Sequence, residues 1–500
     1  MSKAILLYTD NPPIGGVHQY NHSLICKLVQ SNYRVTSVQI QESNYLFDYQ
    51  KDIGVEQFWL EPDLITGYAR SYTDLDTPRT LLSKIKPDLI IFSDGWPMAN
   101  FAAKQVAIEM KIPYIIVVGF VNTSCATVER DDGIPYTEAA RYHYTLANAF
   151  VAVSQENLDL LHNLFKIPDR LGQVIHYGRP ASFFTPPNPN IRRHLRQELN
   201  LPEDGIVCFT SARLAPVKGY DFQLDMIAQL RESPAWKNLY FIWAGSAHKG
   251  ENIQHLLEHR IYELGVSDRV QFLGERQDIP DLLEASDIYI LPSRAEGMPL
   301  AIMEAMAKGL PVIASAVSGV PEELGETGKL LPDPNTNPEG TVTELVSTIQ
   351  AWVMSSELRQ AVGQACKQRA EQLFKEELML DRYSELIEDI LQSIQSKNQS
   401  LEISKIFTSE KIQILQNRIN YACLVWEAWR RQSQGDLSGM YQSLQASSHL
   451  TPFLSLETIV NWLETFTRFS REKGQNLNVY SICKSPDWQC LVRNVYRRTT

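Results

Sequence analysis

The sequence predicts an α/β protein of two doubly wound domains followed by a helical extension. Three observations predict it. Short apolar runs rich in Val and Ile recur through residue 333, amphipathic helical stretches separate them, and the rhythm stops after residue 397. Such continuous runs suit strands buried on both faces. Strand–helix–strand repetition implies a parallel sheet covered by helices.

The first series of runs is AILLYTD (4–10), RVTSVQI (34–40), DLIIFSD (88–94), YIIVVGF (114–120), FVAVS (150–154) and QVIHYG (173–178). Between the first two lies VHQYNHSLICKLVQ, where Val17, Tyr20, Leu24 and Leu28 fall at helical spacing. TPPNPN (185–190) interrupts the pattern and reads as a linker. A second series follows: IVCFTSA (206–212), LYFIWAG (239–245), VQFLG (270–274), IYILPS (288–293), PVIASAV (311–317) and KLLPD (329–333). Residues 374–395 then read as one long helix. The expected division is a first domain over 1–184, a second over 185–373, a helix over 374–397 and a helical module over 398–500.

Charge and cysteine usage narrow the function classes. The formal charge of −11 opposes general nucleic-acid binding, whose footprint is basic. Residues 398–500 hold 12 Lys plus Arg against 8 Asp plus Glu, so they carry +4 and the remainder −15. That module also holds Trp426, Trp429, Trp462 and Trp488, and reads as a pack that braces the core in preference to a binding surface. Seven scattered cysteines without a CxxC pair fit a reduced, cytoplasmic setting and argue against a zinc site. The N-terminal run is too short for a signal-peptide core, and no run approaches the ~18 apolar residues of a spanning helix. Peripheral contact with the cytoplasmic face of a membrane stays open.

Open parallel sheets bind ligands outside the carboxyl ends of their strands, so the residues after each strand are the candidates. After the first strand, Gly15-Gly16 opens a helix, where a bare backbone and a helix N-terminus suit an anion. After 206–212 come Arg213 and then Lys218-Gly219; a planar fork and a point charge suit a diphosphate. Gly245 and Gly274 end their strands, and Arg276 follows closely. Each of these alone reads equally well as a tight turn or a solvated cation.

The segment SRAEGMPLAIMEAMAKGLPVIAS (293–315) carries two glutamates eight residues apart, Glu296 and Glu304. Pro299 suits a helix start and Gly309 a helix end, so a helix is expected from about Pro299 to Lys308. Its apolar circumference predicts burial. Its first N–H groups suit a phosphate, with the two carboxylates as acceptors for neighbouring hydroxyls. The plain alternative for Glu304 is an ion pair with Lys308 one turn on.

SARLAPVKG, WAGSA, VQFLGE, the 293–315 segment and VSGVPEEL together resemble glycosyltransferase family 4, the retaining, nucleotide-sugar-dependent enzymes of the GT-B fold. The resemblance covers about residues 1–395 and is densest over 206–333. It implies two Rossmann-like domains facing across a cleft, with the helix at 374–397 crossing back to the first. It implies that Glu304 holds the ribose hydroxyls, Glu296 the donor sugar, and Arg213 and Lys218 the diphosphate. It further implies that Gly16, Gly245, Gly274, Arg276 and Met298 line the donor site and that the N–H groups of Leu300 and Ala301 complete the anion site. Fixed cations placed where the leaving diphosphate gains charge stabilise the transition state. With no DxD in a fitting place, no metal and no cofactor beyond the nucleotide sugar (UDP- or GDP-linked) is expected.

The first domain departs from the family pattern. The P-x5-H histidine position is taken by Gly119 and Phe120, and the N-G pair appears as Tyr177-Gly178-Arg179. Asp94, Phe120 and His143 are the candidates for the acceptor side, and the acceptor itself, whether glycan, lipid or small molecule, is not legible. Two further readings stand beside the transferase: a sugar-nucleotide epimerase, which would need its own acid–base set, and a non-catalytic nucleotide-sugar sensor or subunit working through residues 398–500.

Overall fold

Thirteen strands lie among the described residues, and their order places every candidate loop. The computed structural model describes residues 2–11, 16–41, 45–60, 74–123, 136–247, 251–395, 435–450 and 478–499, with scattered positions in 413–432 and 459–471. The first seven strands are β1 (Ala4–Tyr8), β2 (Arg34–Ile40), β3 (Glu56–Leu60), β4 (Leu89–Asp94), β5 (Tyr114–Val118), β6 (Ala149–Ala152) and β7 (Gln173–Val174). They form one sheet in the order β3-β2-β1-β4-β5-β6-β7. The pairs β1–β2, β2–β3, β1–β4 and β4–β5 are parallel. β1 and β5 are buried at every position, as two-sided cover by helices requires.

A second sheet takes the strands β8 (Ile206–Ser211), β9 (Leu239–Ala244), β10 (Val270–Gly274), β11 (Ile288–Leu291), β12 (Val312–Ser315) and β13 (Lys329–Leu331) in the order β10-β9-β8-β11-β12-β13. Its pairs are parallel throughout. The expected runs thus all contain strands. One strand was not expected: β3, EQFWL, lies at the sheet edge with no fully buried residue, so its sequence lacks the continuous apolar signature. The expected linker is also shorter than its sequence suggests. Asn188 accepts a hydrogen bond from the Asn190 N–H and starts a helix over Pro189–Glu198.

By contacts, the chain divides into two compact units: Met1–Val151, Asp159–Gln173 and Leu386–Thr500 in one, Ala152–Leu158 and Val174–Glu385 in the other. The division falls inside the helix Glu376–Gln395. In the second unit, Trp243 on β9 is fully buried and packs edge-on against Tyr220 and Phe272, with its indole N–H donated to Gln223 at 3.0 Å. Arg196 ties this unit together. Its guanidinium is 1% exposed and donates to the carbonyls of Ala285, Pro202, Glu203 and Gly205 and to Asp287. Asp287 in turn accepts from the Val207 N–H at the start of β8.

Of the C-terminal tryptophans, Trp462 and Trp488 are buried, and the side chains of Trp426 and Trp429 lie outside the described residues. Gly15, Cys125 and Cys423 lie outside them too. Among the described residues no helix is long and apolar enough to cross a membrane.

Candidate functional site

The order of the second sheet reverses between β8 and β11, which are paired directly. Crevices outside the carboxyl ends of strands open at such reversals. The loop after β8 carries Arg213 and Lys218, and the loop after β11 carries Glu296, so neighbouring strands deliver residues 78 positions apart to one place. The two loops are laced together. The Arg294 N–H donates to the Val217 carbonyl at 2.7 Å, and the Arg294 guanidinium forks onto Asp221 at 2.9 and 2.6 Å. Gly219 sits in the left-handed region (φ 71°), and a Cβ there would lie 2.0 Å from the Pro292 carbonyl oxygen, so only glycine permits the approach.

Lys218 Nζ donates to both oxygens of Glu296, at 2.7 and 2.9 Å, and the Ser293 hydroxyl donates to Oε1 at 2.6 Å. Glu296 is 7% exposed and Lys218 21%. The site therefore holds a partly exposed cation parked on a buried carboxylate. Behind it, Glu323 is fully buried. Burial first, and the negative charge of Glu296 second, push the Glu323 carboxyl well above the usual carboxylate range, which favours its neutral form.

The helix Leu300–Ala307 follows, with Pro299 flanking its start and Gly309 past its end at φ 78°. By position, the N–H groups of Leu300 and Ala301 open the helix and have no intrahelical acceptor. Met298 and Glu304 are buried. Glu304 does not pair with Lys308, because Lys308 is engaged by Glu284 at 2.8 Å and Thr185 at 2.9 Å. Its partner is Arg179, Nη2 to Oε1 at 2.6 Å, each side chain 8% exposed. Burial raises the Glu304 carboxyl above its ordinary range, and the charge and hydrogen bond of Arg179 oppose that shift.

Of the remaining donor-side candidates, Arg213, Gly245, Gly274 and Arg276 lie at or just after strand ends of the same unit. The Gly245 N–H donates to the Gly274 carbonyl at 2.7 Å, joining the ends of β9 and β10. Arg213 reaches Glu251 at 3.9 Å and is over a third exposed, so its fork is available. Arg276 is held by Asp278 at 2.6 Å and Glu198 at 3.3 Å, two acidic partners that stabilise its charge. Gly16 opens the helix Gly16–Gln30 of the other unit.

Two of the acceptor-side candidates, Asp94 and His143, lie deep in the first unit. Asp94 and His143 are each 1% exposed inside the first unit. Asp94 is salt-bridged to Lys104 and accepts from Asn100 at 2.8 Å, and burial raises its carboxyl to about 7 against the pull of Lys104. His143 packs edge-on to Phe101 at 4.7 Å, and burial, then the Lys104 charge, push its imidazole well below the usual range. Both are thus engaged by neighbours within the first unit. Phe120 is half-buried. Arg179 and Ser293 are the residues that sequence reasoning passed over. Ser293 stands three before Glu296, a local spacing open to notice; Arg179 meets Glu304 from 125 positions away, with no periodic signal to link them. Among the described residues, no group of three or more His, Cys, Asp or Glu is placed to hold a metal ion.

Comparison with known proteins draws on the same segment of the chain. Residues 191–369, which contain both loops and the helix bearing Glu304, match the family described as Glycosyl transferases group 1. The D-inositol 3-phosphate glycosyltransferase of Corynebacterium efficiens is 33% identical over 246 residues, 47% of this chain and 56% of that protein. The mannosylfructose-phosphate synthase of Agrobacterium fabrum is 28% identical over 35% of this chain and 39% of its own length. The chain thus spans about half the length of the first of these relatives and less of the second. Among solved structures, Anabaena HepE in complex with UDP and glucose superposes with a TM-score of 0.64 at 20% identity, covering 77% of this chain and all of that one. That likeness establishes the fold as GT-B. Residues 191–369 are thus similar to the group 1 glycosyltransferases, and the likeness in sequence is carried by that segment.

Proposed function

We propose that this protein is a retaining glycosyltransferase that moves a sugar from a nucleotide diphosphate sugar to an acceptor without a metal ion. The observation that carries the reading is the cluster of Lys218, Glu296 and Ser293 at the β8/β11 reversal, next to the helix that bears Glu304. Glu304 takes the ribose hydroxyls and Glu296 those of the donor sugar. Lys218 and Arg213 face the diphosphate, together with the N–H groups of Leu300 and Ala301.

Glycosyl transfer separates a sugar cation from a diphosphate whose negative charge grows as the bond breaks. Groups aimed at that growing charge lower the barrier, while groups that bind donor and transition state alike do not. Lys218 neutralises Glu296 across the two loops. When donor binds, the diphosphate competes for the ammonium and the freed carboxylate accepts from sugar hydroxyls, so one exchange readies both groups. Attack from the leaving-group face, with the diphosphate taking the acceptor's proton, gives retention without a further protein base. That fits a first unit whose Asp94 and His143 are sealed inside.

Complexes of a protein of the same fold with UDP and with UDP-glucose support a UDP-sugar as the first donor to try, with GDP-sugars beside it. The test is a thermal-shift panel of UDP- and GDP-sugars, followed by donor hydrolysis without acceptor. A donor at 100 times its Kd stabilises by about 2.7 kcal/mol. The expected result is a raised melting temperature with one donor class and slow release of that nucleoside diphosphate. Binding without hydrolysis would make the protein a sensor or subunit; no binding at all would overturn the assignment.

A further inference from the structure

We propose that Arg179 is a positioning residue for the nucleotide: it fixes the Glu304 carboxylate through Oε1 and leaves Oε2 to accept the ribose hydroxyls. This rests on the donor-site reading above. Arg179 comes from the segment after β7, and its backbone is clamped there. Its N–H donates to the Phe374 carbonyl at 2.7 Å and its carbonyl accepts from the Glu376 N–H at 3.0 Å. Gly178 makes that clamp possible, since a Cβ would lie 2.6 Å from the Glu376 Cα. The Phe183 ring lies under the guanidinium, 4.8 Å from its centre. The arginine therefore reaches Glu304 from a fixed base over a fixed floor.

The contact is made at one corner. The ion pair uses Arg179 Nη2 and Glu304 Oε1, while Arg179 Nε is buried without a hydrogen-bond partner. A buried pair retained for stability alone is commonly matched or bettered by apolar residues of similar volume, and an unmet donor makes this pair worse still. Its arrangement makes sense as a means of holding a carboxylate. A ribose diol offers two O–H donors, and an ionised carboxylate has about four lone-pair sites, of which Arg179 takes one. A protonated Glu304 would offer fewer acceptors and no charge.

Burial favours the protonated form of Glu304, and Arg179 is the cation that opposes it. The other groups facing it are accounted for. Lys308, one turn along its own helix, is engaged by Glu284. Tyr289 on β11, whose hydroxyl bonds Ser211, stays neutral because burial raises it far above its usual range, with Glu304 and Glu296 adding to the shift.

The experiment is titration calorimetry of UDP, with GDP in parallel, across pH 5 to 9 for wild type, R179M, R179K and E304Q. Removing a cation at this distance raises a carboxylate by about 1–3 pH units. Affinity follows the ionised form, so it is retained above the Glu304 midpoint and lost below it; in R179M that midpoint should move up by about this amount. Near pH 6.5, R179M should bind about 10- to 150-fold more weakly and recover as pH rises, while R179K stays close to wild type. UDP's terminal phosphate titrates near pH 6 itself. E304Q corrects for this, since it should bind weakly with only the ligand's own pH dependence. An R179M midpoint equal to wild type, or weakened binding that no pH restores, overturns the proposal. If R179M does not fold, the same shift is read from R179Q, which also removes the charge but keeps a polar side chain; no movement there overturns it equally. A wild type that binds neither UDP nor GDP fails the donor-site reading itself, and this inference with it.

Discussion

Lys218→Ala separates the two tasks that the proposed function gives to one ammonium. Lys218 Nζ sits 2.7 and 2.9 Å from the oxygens of Glu296, which is only 7% exposed. Truncation leaves that carboxylate with the Ser293 hydroxyl as its remaining hydrogen bond from the pair of loops. Breaking a fully buried ion pair costs about 3–5 kcal/mol; because Lys218 is a fifth exposed, water reaches it and the loss of folding stability should be well under that range. The larger effect belongs to turnover. The diphosphate carries more charge in the transition state than in the bound donor, and deleting one preorganised group of this kind typically costs about 10²–10³ in rate. Glu296→Gln adds a second arm. Each residue is the other's partner, so the double variant should lose less than the two single losses combined, with a coupling of about 0.5–3 kcal/mol. The assay is steady-state donor turnover, with calorimetry for donor affinity. If Lys218→Ala raises KM and leaves kcat intact, the lysine is a binding residue only; if the single losses simply add, the parked pair has no part in the mechanism.

Glu304→Ala should weaken nucleoside diphosphate affinity about 10- to 150-fold, the value of a charged hydrogen-bond acceptor at ~1.5–3 kcal/mol, as read by calorimetry; unchanged affinity would remove the ribose from this residue. EDTA should leave turnover unchanged, and activity restored by Mn²⁺ or Mg²⁺ after its loss would contradict the metal-free mechanism. Arg196→Met should lower the denaturant midpoint of unfolding steeply, by about 3–5 kcal/mol in stability, because four carbonyls and Asp287 lose a buried donor at once; a shift below 1 kcal/mol would mean that Arg192, which also reaches Asp287, suffices.

The parts legible in the sequence are those set by near neighbours. Runs such as AILLY and LYFIWA are apolar throughout because both their faces are covered, so each announces a strand unaided. Glu296, Pro299, Glu304 and Gly309 lie within one short segment, and their spacing displays the helix and its ends. What escaped depends on the third dimension. EQFWL pairs only at a sheet edge and needs no apolar run. Asp94 ends a strand, where ligand-binding residues are usual, but the Lys104 that neutralises it is delivered by the helix Phe101–Glu109, and local sequence does not announce how deeply that pair lies. Arg179 looked like a departure from a glycine-containing pattern; its meaning appears only when Glu304 is brought beside it.

Gly219 bears on how this protein can change over generations. A single-base change in a glycine codon introduces Ala, Val, Ser, Cys, Asp, Glu, Arg or Trp, and every one of them brings the carbon that would stand 2.0 Å from the Pro292 oxygen. No one-step replacement fits unless the backbone at 292 moves first, and that backbone leads directly into the loop of Glu296. Descendants of this sequence are thus free to diversify in their exposed surfaces, while the strip that joins residue 219 to residue 292 must be inherited as a unit or rebuilt as one.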